Sequence, residues 1–142
     1  MARHIYNCPM RWADLDMLGH VNNVAYVDYM QEARVDMFRA HPPSDGDDRL
    51  AEGVVVVRNE VEFFKPLRFR ATPLRIELWV TEVRAATFSL AYELLDLVDD
   101  DRTVYAKART VLVPYVFERE GPRRLTPFER STLEGLRDEV AS

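Results

Sequence analysis

A chain of 142 residues is the size of one ordinary domain, and it buries roughly 68–70% of its unfolded surface, enough for a core without staples. Hydrophobic residues at 47% and charged residues at 30% exclude a disordered chain, and a net charge of −5 argues against whole-molecule attraction to nucleic acid or an anionic membrane. The single cysteine, Cys8, leaves no internal disulfide and no multi-cysteine metal site, which points to a reducing, cytoplasmic setting without a bound metal; no apolar run is long enough to insert in a membrane or to form a secretory leader. No repeat and no linker tract divides the chain, so residues 1–142 are expected to form one domain.

The first segment, Arg3 to Trp12, is short and mixed, and with Pro9 inside it can be a strand only at a sheet edge. A polar, turn-like stretch follows from Asp14 to Asn23, with Gly19 as its flexible point. Val24 to Ala40 then predicts a helix: good helix formers, no Gly or Pro, and apolar residues recurring at Tyr26, Met30, Ala33 and Met37, widened by Val27 and Phe38. Asn22 and Asn23 are both suited to cap it, because a short amide oxygen can accept from the free N–H groups of a first turn. Pro42 and Pro43 end the helix, and SDGDDRLAEG reads as an exposed acidic loop.

From Val54 the period changes from 3.6 to 2. In VVVVRNEVEFF one parity carries Val55, Val57, Asn59, Val61 and Phe63, against Arg58, Glu60 and Glu62 on the other. In LRIELWVTEV, Leu74, Ile76, Leu78 and Val80 alternate with Arg75, Glu77, Trp79 and Thr81. Phe88 to Val98 and Val104 to Phe117 are two further strands, joined by the acidic turn Asp99 to Arg102. Strands this long imply a strongly twisted, curled sheet. Thr126-Pro127-Phe128-Glu129 supplies an N-cap, a first-position proline and a first-turn acid, opening a helix to about Val140 with Leu133, Leu136 and Val140 as its stripe. The order β, long α, four long β, α is that of an α+β domain with a sheet curled around one helix.

The chemistry concentrates between Asp14 and Asn23, where two carboxylates, a glycine, an imidazole and two amides precede the long helix. A helix start offers unpaired N–H groups and a partial positive charge, both favourable to an oxyanion developing on a substrate carbonyl. A carboxylate just upstream can face the same carbon as nucleophile or as general base for water. The same residues also have plain structural readings: Asp14 and Asp16 as turn formers, Gly19 as the turn glycine, His20 as a satisfied polar residue, Asn22 and Asn23 as caps, Tyr26 and Tyr29 as core. Lys65, Arg68, Arg70 and Arg75 form a basic window with no acid, at a strand end and turn where phosphates can be met; its plain reading is a solvated sheet edge. Lys107 and Arg109 are weaker candidates, and Met30, Phe63, Phe88 and the valines of the first long strand are available for an apolar pocket or for the core.

The run Asp14-Leu15-Asp16-Met17-Leu18-Gly19-His20-Val21-Asn22-Asn23-Val24-Ala25-Tyr26 closely resembles the signature of hotdog-fold acyl-CoA thioesterases of the 4-hydroxybenzoyl-CoA thioesterase-like type, and Phe63-Phe64-Lys65-Pro66-Leu67 matches a strand ending common there. The resemblance implies a hotdog fold and hydrolysis of an acyl-CoA to free acid and CoA, with CoA as part of the substrate and no separate cofactor. It implies Asp16 as the catalytic carboxylate, the backbone N–H near Asn23 as oxyanion donor, and His20 as an orienting group. Gly19, Asn22, Tyr26, Lys65, Arg68 and Arg70 are then expected to contact substrate. It also implies a homodimer or tetramer with the cleft between subunits. A carrier-protein thioester as substrate, dehydration of a 3-hydroxyacyl thioester, and a non-catalytic acyl-CoA-binding dimer are the alternatives.

Overall fold

A computed structural model describes residues 3–42, 50 and 53–138. Along the described residues run β1 (His4–Cys8), α1 (Asn23–Ala40), β2 (Val54–Phe63), β3 (Leu74–Val83), β4 (Phe88–Val98), β5 (Asp101–Val116), the two-residue β6 (Gly121–Pro122) and α2 (Pro127–Gly135). The sheet is antiparallel in the order β1-β3-β4-β5-β2, with β6 added to β5. β1 and β2 are its edges. The proline-containing first segment therefore does lie at an edge, and it stops at Cys8 because Pro9 brings no N–H to the ladder.

Asn22 caps α1, its side chain accepting the Val24 N–H at 2.7 Å, so the helix opens at Asn23, one residue before the predicted start. Tyr26, Met30, Ala33, Met37 and Phe38 are buried as expected, whereas Val27 is 36% exposed. α1 packs over β1 and β3. It leaves the inward side of β2 largely uncovered, where Val56, Asn59 and Phe63 are exposed. Of the predicted acidic loop and the Pro42–Pro43 stop, Pro43 and most of the loop lie outside the described residues; Leu50 is buried in the core.

Single-residue register shifts fall at Val57 in β2, Thr81 in β3 and Tyr105 in β5. Each bulge bends its strand and adds twist, which curls the sheet. The β2 bulge also overturns the simple alternation. Before it, Val56 stands opposite the buried Leu112; after it, Asn59 and Val61 stand opposite Thr110 and Ala108. Val55 and Val57 therefore do not share a face with Val61. The β4–β5 turn is also tighter than predicted: Asp99 and Asp100 suffice, with Asp99 at φ 55, and β5 begins at Asp101 and ends at Val116.

α2 opens as predicted, with Thr126 and Glu129 exchanging hydrogen bonds in a capping box around Pro127. It ends at Gly135; Val140 lies outside the described residues. Leu133 and Leu136 are buried, and the Val80 N–H donates to the Leu136 carbonyl at 3.0 Å, tying the helix end to β3. On the outer face of the sheet, Trp79 is only 1% exposed, beneath the Arg3 guanidinium 3.8 Å from its ring centre. Beside it Glu77 accepts from Arg3, Arg75 and Arg102. Burial pushes the Glu77 carboxyl up, but those guanidiniums outweigh it, Arg102 foremost, and bring it down to about 2.

Candidate active site

The loop between β1 and α1 is a closed miniature. Leu15 bridges to Val21, the Asp16 N–H donates to the His20 carbonyl at 2.8 Å, and the Gly19 N–H returns to the Asp16 carbonyl at 3.1 Å. Gly19 sits at φ +76, a left-handed conformation that costs glycine no steric energy. The loop is fastened to the segment that follows β2: the Val21 N–H donates to the Leu67 carbonyl at 2.7 Å, and His20 bridges to Arg68.

The two aspartates have separate duties. Asp14 is buried and accepts from the Tyr29 hydroxyl at 2.5 Å and from Arg11 through its backbone N–H, Nε and Nη2. Burial raises the Asp14 carboxyl, yet these hydrogen bonds hold it below the usual carboxylate range. Burial and the carboxylate beside it push the Tyr29 hydroxyl upward. Asp14 thus shapes the loop. Asp16 is exposed, and its Oδ1 alone is engaged, accepting from the backbone N–H groups of Leu18 at 2.9 Å and His20 at 3.2 Å. Its Oδ2 has no hydrogen-bond partner among the described residues.

At the helix start, the Asn22 side chain takes the Val24 N–H and its carbonyl takes the Ala25 N–H at 3.0 Å. The Asn23 N–H has no partner among the described residues. A cavity of about 420 Å³ joins these groups: Asp16, His20 and Asn23 line it on one side, and Tyr26, Phe63, Phe64 and Lys65 on the other, with Val21 and Pro66 completing it. The rings of Tyr26 and Phe63 meet edge to face with centres 5.1 Å apart. Burial raises the Tyr26 hydroxyl, opposed by a hydrogen bond with the Leu67 backbone. One free carboxylate oxygen, one free helix N–H, an imidazole and an ammonium thus share one partly aromatic hollow, an arrangement able to bind a carbonyl and act on its carbon.

Among the residues singled out from sequence, Asp16, His20, Asn23, Tyr26 and Lys65 meet at this cavity. Gly19 and Asn22 act behind it, as the left-handed turn and the helix cap. Arg68 is exposed beside His20. Arg70 is drawn away: it is ion-paired with Asp96, which also accepts from the Tyr105 hydroxyl at 2.7 Å. Arg75 is likewise engaged by Glu77. Met30 and Phe88 belong to the core, not to a pocket wall, Phe88 packing edge to face on Phe38. Val21, Phe64 and Pro66 are cavity residues that spacing alone did not single out; the cue was the segment Phe63 to Leu67, whose backbone returns to pair with the loop. Lys107 and Arg109 lie on the outer sheet face, lining a separate hollow of about 440 Å³ with Trp79, Glu60 and Glu62.

Residues 10–136 match the family model of the thioesterase-like superfamily. The chain belongs to the thioesterase-like superfamily. That stretch holds the whole loop, α1 and the entire sheet except β1. Among solved structures, this thioesterase-like chain is similar to a predicted thioesterase from Bacillus stearothermophilus at 18% identity, covering 99% of this chain and 100% of that one with a TM-score of 0.81. It is similar to a Thermus thermophilus thioesterase complexed with coenzyme A and Zn at 25% identity, covering 93% and 92% with a TM-score of 0.74. It is also similar to a 4-hydroxybenzoyl CoA thioesterase mutant complexed with 4-hydroxybenzoyl CoA, at 16% identity, 96% and 99% coverage and a TM-score of 0.78. No curated protein matches it in sequence. Its architecture is the hotdog fold, a curled antiparallel sheet with a long helix and a C-terminal helix. Among the described residues no helix is long and apolar enough to cross a membrane.

Proposed function

We propose that this protein hydrolyses an acyl-CoA thioester to the free acid and CoA, using the Asp16 carboxylate and the Asn23 N–H. The observation that carries the reading is the pair of uncommitted groups on one cavity: Asp16 Oδ2 and the first N–H of α1. With the thioester carbonyl oxygen on the Asn23 N–H, Asp16 either takes a proton from water as hydroxide adds to the carbonyl carbon, or adds to that carbon itself and is freed by water. In both cases the tetrahedral oxyanion collapses with loss of the CoA thiolate, which needs little proton help to leave. Engagement of Oδ1 by two N–H groups turns Oδ2 outward. His20 orients water or substrate beside Asp16, Tyr26 and Phe63 wall the acyl group, and Lys65 with the neighbouring Arg68 meets the CoA phosphates. Arg70, being paired with Asp96, contributes to the fold there.

The cleft is completed by a second copy. β2 is an open edge whose backbone groups seek a ladder partner, and Val57, Phe63 and Phe64 lie exposed along or just after it. A homodimer, or a tetramer built from it, covers this apolar strip and encloses the site, in the reducing cytoplasm that a lone buried Cys8 suits. Release of free thiol from a panel of acyl-CoA and acyl-carrier-protein thioesters tests the activity. We expect turnover with acyl-CoA; stabilisation by CoA with no thioester cleaved would instead make the protein a binding module. Light scattering that finds only monomer at micromolar concentration would refute the shared cleft.

A further inference from the structure

Arg34 lies on the inner stripe of α1, two turns beyond Tyr26, and is only 7% exposed. Its Nη1 donates to the Tyr92 hydroxyl at 3.2 Å, and no carboxylate pairs with it among the described residues. Arg3, Arg70 and Arg102, all more exposed, each hold carboxylates. A guanidinium does not shed its proton, so a desolvated one without a counter-charge is costly unless something else supplies the charge. The polar groups around it continue toward the sheet edge: Tyr92 hydrogen-bonds with Thr110, and the Thr110 hydroxyl donates to Asn59 Oδ1 at 2.7 Å. Asn59 is exposed on the inward side of β2, the side α1 leaves uncovered.

The other end of that uncovered strip is the cavity. Phe63, on the same face of β2 as Asn59, touches Tyr26 beside Asn23 and Asp16, and Val61 lies between. Eleven residues separate Asn23 from Arg34, about 16 Å along a helix axis. A helical side chain leans back toward the N-terminus, which brings the guanidinium nearer to the Asn23 end than that axial rise. Between the two ends run Tyr26, Val61 and Phe63, apolar or aromatic. An acyl chain of medium length spans that interval, and the group it meets at the end is cationic.

We propose that the acyl group this protein prefers carries a carboxylate at its far end, and that Arg34 receives it, with the Tyr92, Thr110 and Asn59 polar groups alongside. This deepens the thioester reading above and rests on it for the position of the reacting carbonyl. The substrates are thus monothioesters of medium-chain dicarboxylic acids, and Arg34 is a specificity-determining residue.

Octanoyl-CoA and suberoyl-CoA, equal in length and differing in the terminal carboxylate, test it. Charge-assisted hydrogen bonds in a half-dry site predict that suberoyl-CoA has the higher kcat/KM by about ten- to a hundredfold. Arg34→Met should abolish that preference, bringing the ratio of kcat/KM for the two thioesters to about one, and Arg34→Lys should retain part of it. Equal use of the two thioesters by the unaltered protein overturns the proposal, as does a preference that survives in Arg34→Met. Should Arg34→Met fail to fold, the unaltered protein and Arg34→Lys decide. If neither thioester releases thiol, the hydrolase reading fails separately, and the ratio of dissociation constants for the two thioesters decides the assignment of Arg34.

Discussion

Replacing Asp16 by Asn separates the two oxygens of one carboxylate. Oδ1 accepts from Leu18 and His20 N–H groups at 2.9 and 3.2 Å, so an asparagine must turn its amide oxygen to those donors and its NH₂ to the cavity. The loop keeps both hydrogen bonds, and only the change from charged to neutral acceptor is lost, about 0.5–1 kcal/mol or roughly 2–4 °C in Tm. At the cavity the loss is complete: an amide nitrogen neither attacks carbon nor takes a proton from water. A group of that kind is worth about 10²–10³ in kcat, or roughly 3–4 kcal/mol of transition-state stabilisation. The assay is thiol release from a cleaved acyl-CoA at saturation, beside a thermal melt of the same preparation. Asp16→Ala should lose as much activity and a further ~1–2 kcal/mol of stability, since both N–H groups then lack their acceptor. An Asp16→Asn protein with native melting and kcat within about threefold of the original would refute the role given to Oδ2.

Three further outcomes are expected. Lys65→Glu should raise KM for a CoA thioester several-fold with kcat nearly constant, whereas Arg70→Ala should lower Tm and leave KM unchanged, because Asp96 holds Arg70; steady-state kinetics with melting curves distinguishes the two. Gly19→Ala should cost about 1–2 kcal/mol through backbone strain alone, since an added Cβ at φ +76 meets nothing within 4 Å, and Gly19→Asn should cost less; denaturant titrations giving equal losses would contradict this. Glu77 is held at about 2, below its ordinary 4.5, so it stabilises the fold at neutral pH, and that stabilisation is lost as pH falls through this interval. Stability measured stepwise in acid should therefore fall less steeply in Glu77→Gln, and an identical slope would remove Glu77 from the acid response.

Local patterning carried the fold a long way because most elements are held by local rules. The α1 stripe, the Asn22 cap, the Thr126–Glu129 box and the β3-β4-β5 hairpins all follow from neighbours within a few residues, whereas β2 pairs with β5 instead of the next strand, β3, and β1 joins β3 across the intervening α1 and β2. What stayed illegible depends on partners across the sheet. The bulge at Val57 reverses the face of β2, and nothing in VVVVRNEVEF announces which residue will be skipped. The basic window looked uniform, yet Arg70 meets Asp96 twenty-six residues later. Trp79, on the polar parity of β3, is buried with the Arg3 guanidinium folded over it from β1's side. At the candidate site, what the spacing did not disclose is the partner that holds Asp14 in place: Tyr29, two turns into α1, reaches back to it.

That reach has a mechanical result. Tyr29 and Arg11 clasp Asp14, and the Asn22 N–H donates to the Asp14 carbonyl at 2.8 Å, so the loop and the first two turns of α1 form a single bolted piece. When thermal motion or a distant substitution shifts the helix against the sheet, Asp16 and the Asn23 N–H travel as fellow passengers and their spacing survives. The sheet beneath is thereby released from guarding the reacting atoms, and its strands are left to vary with whatever cargo the far wall must fit.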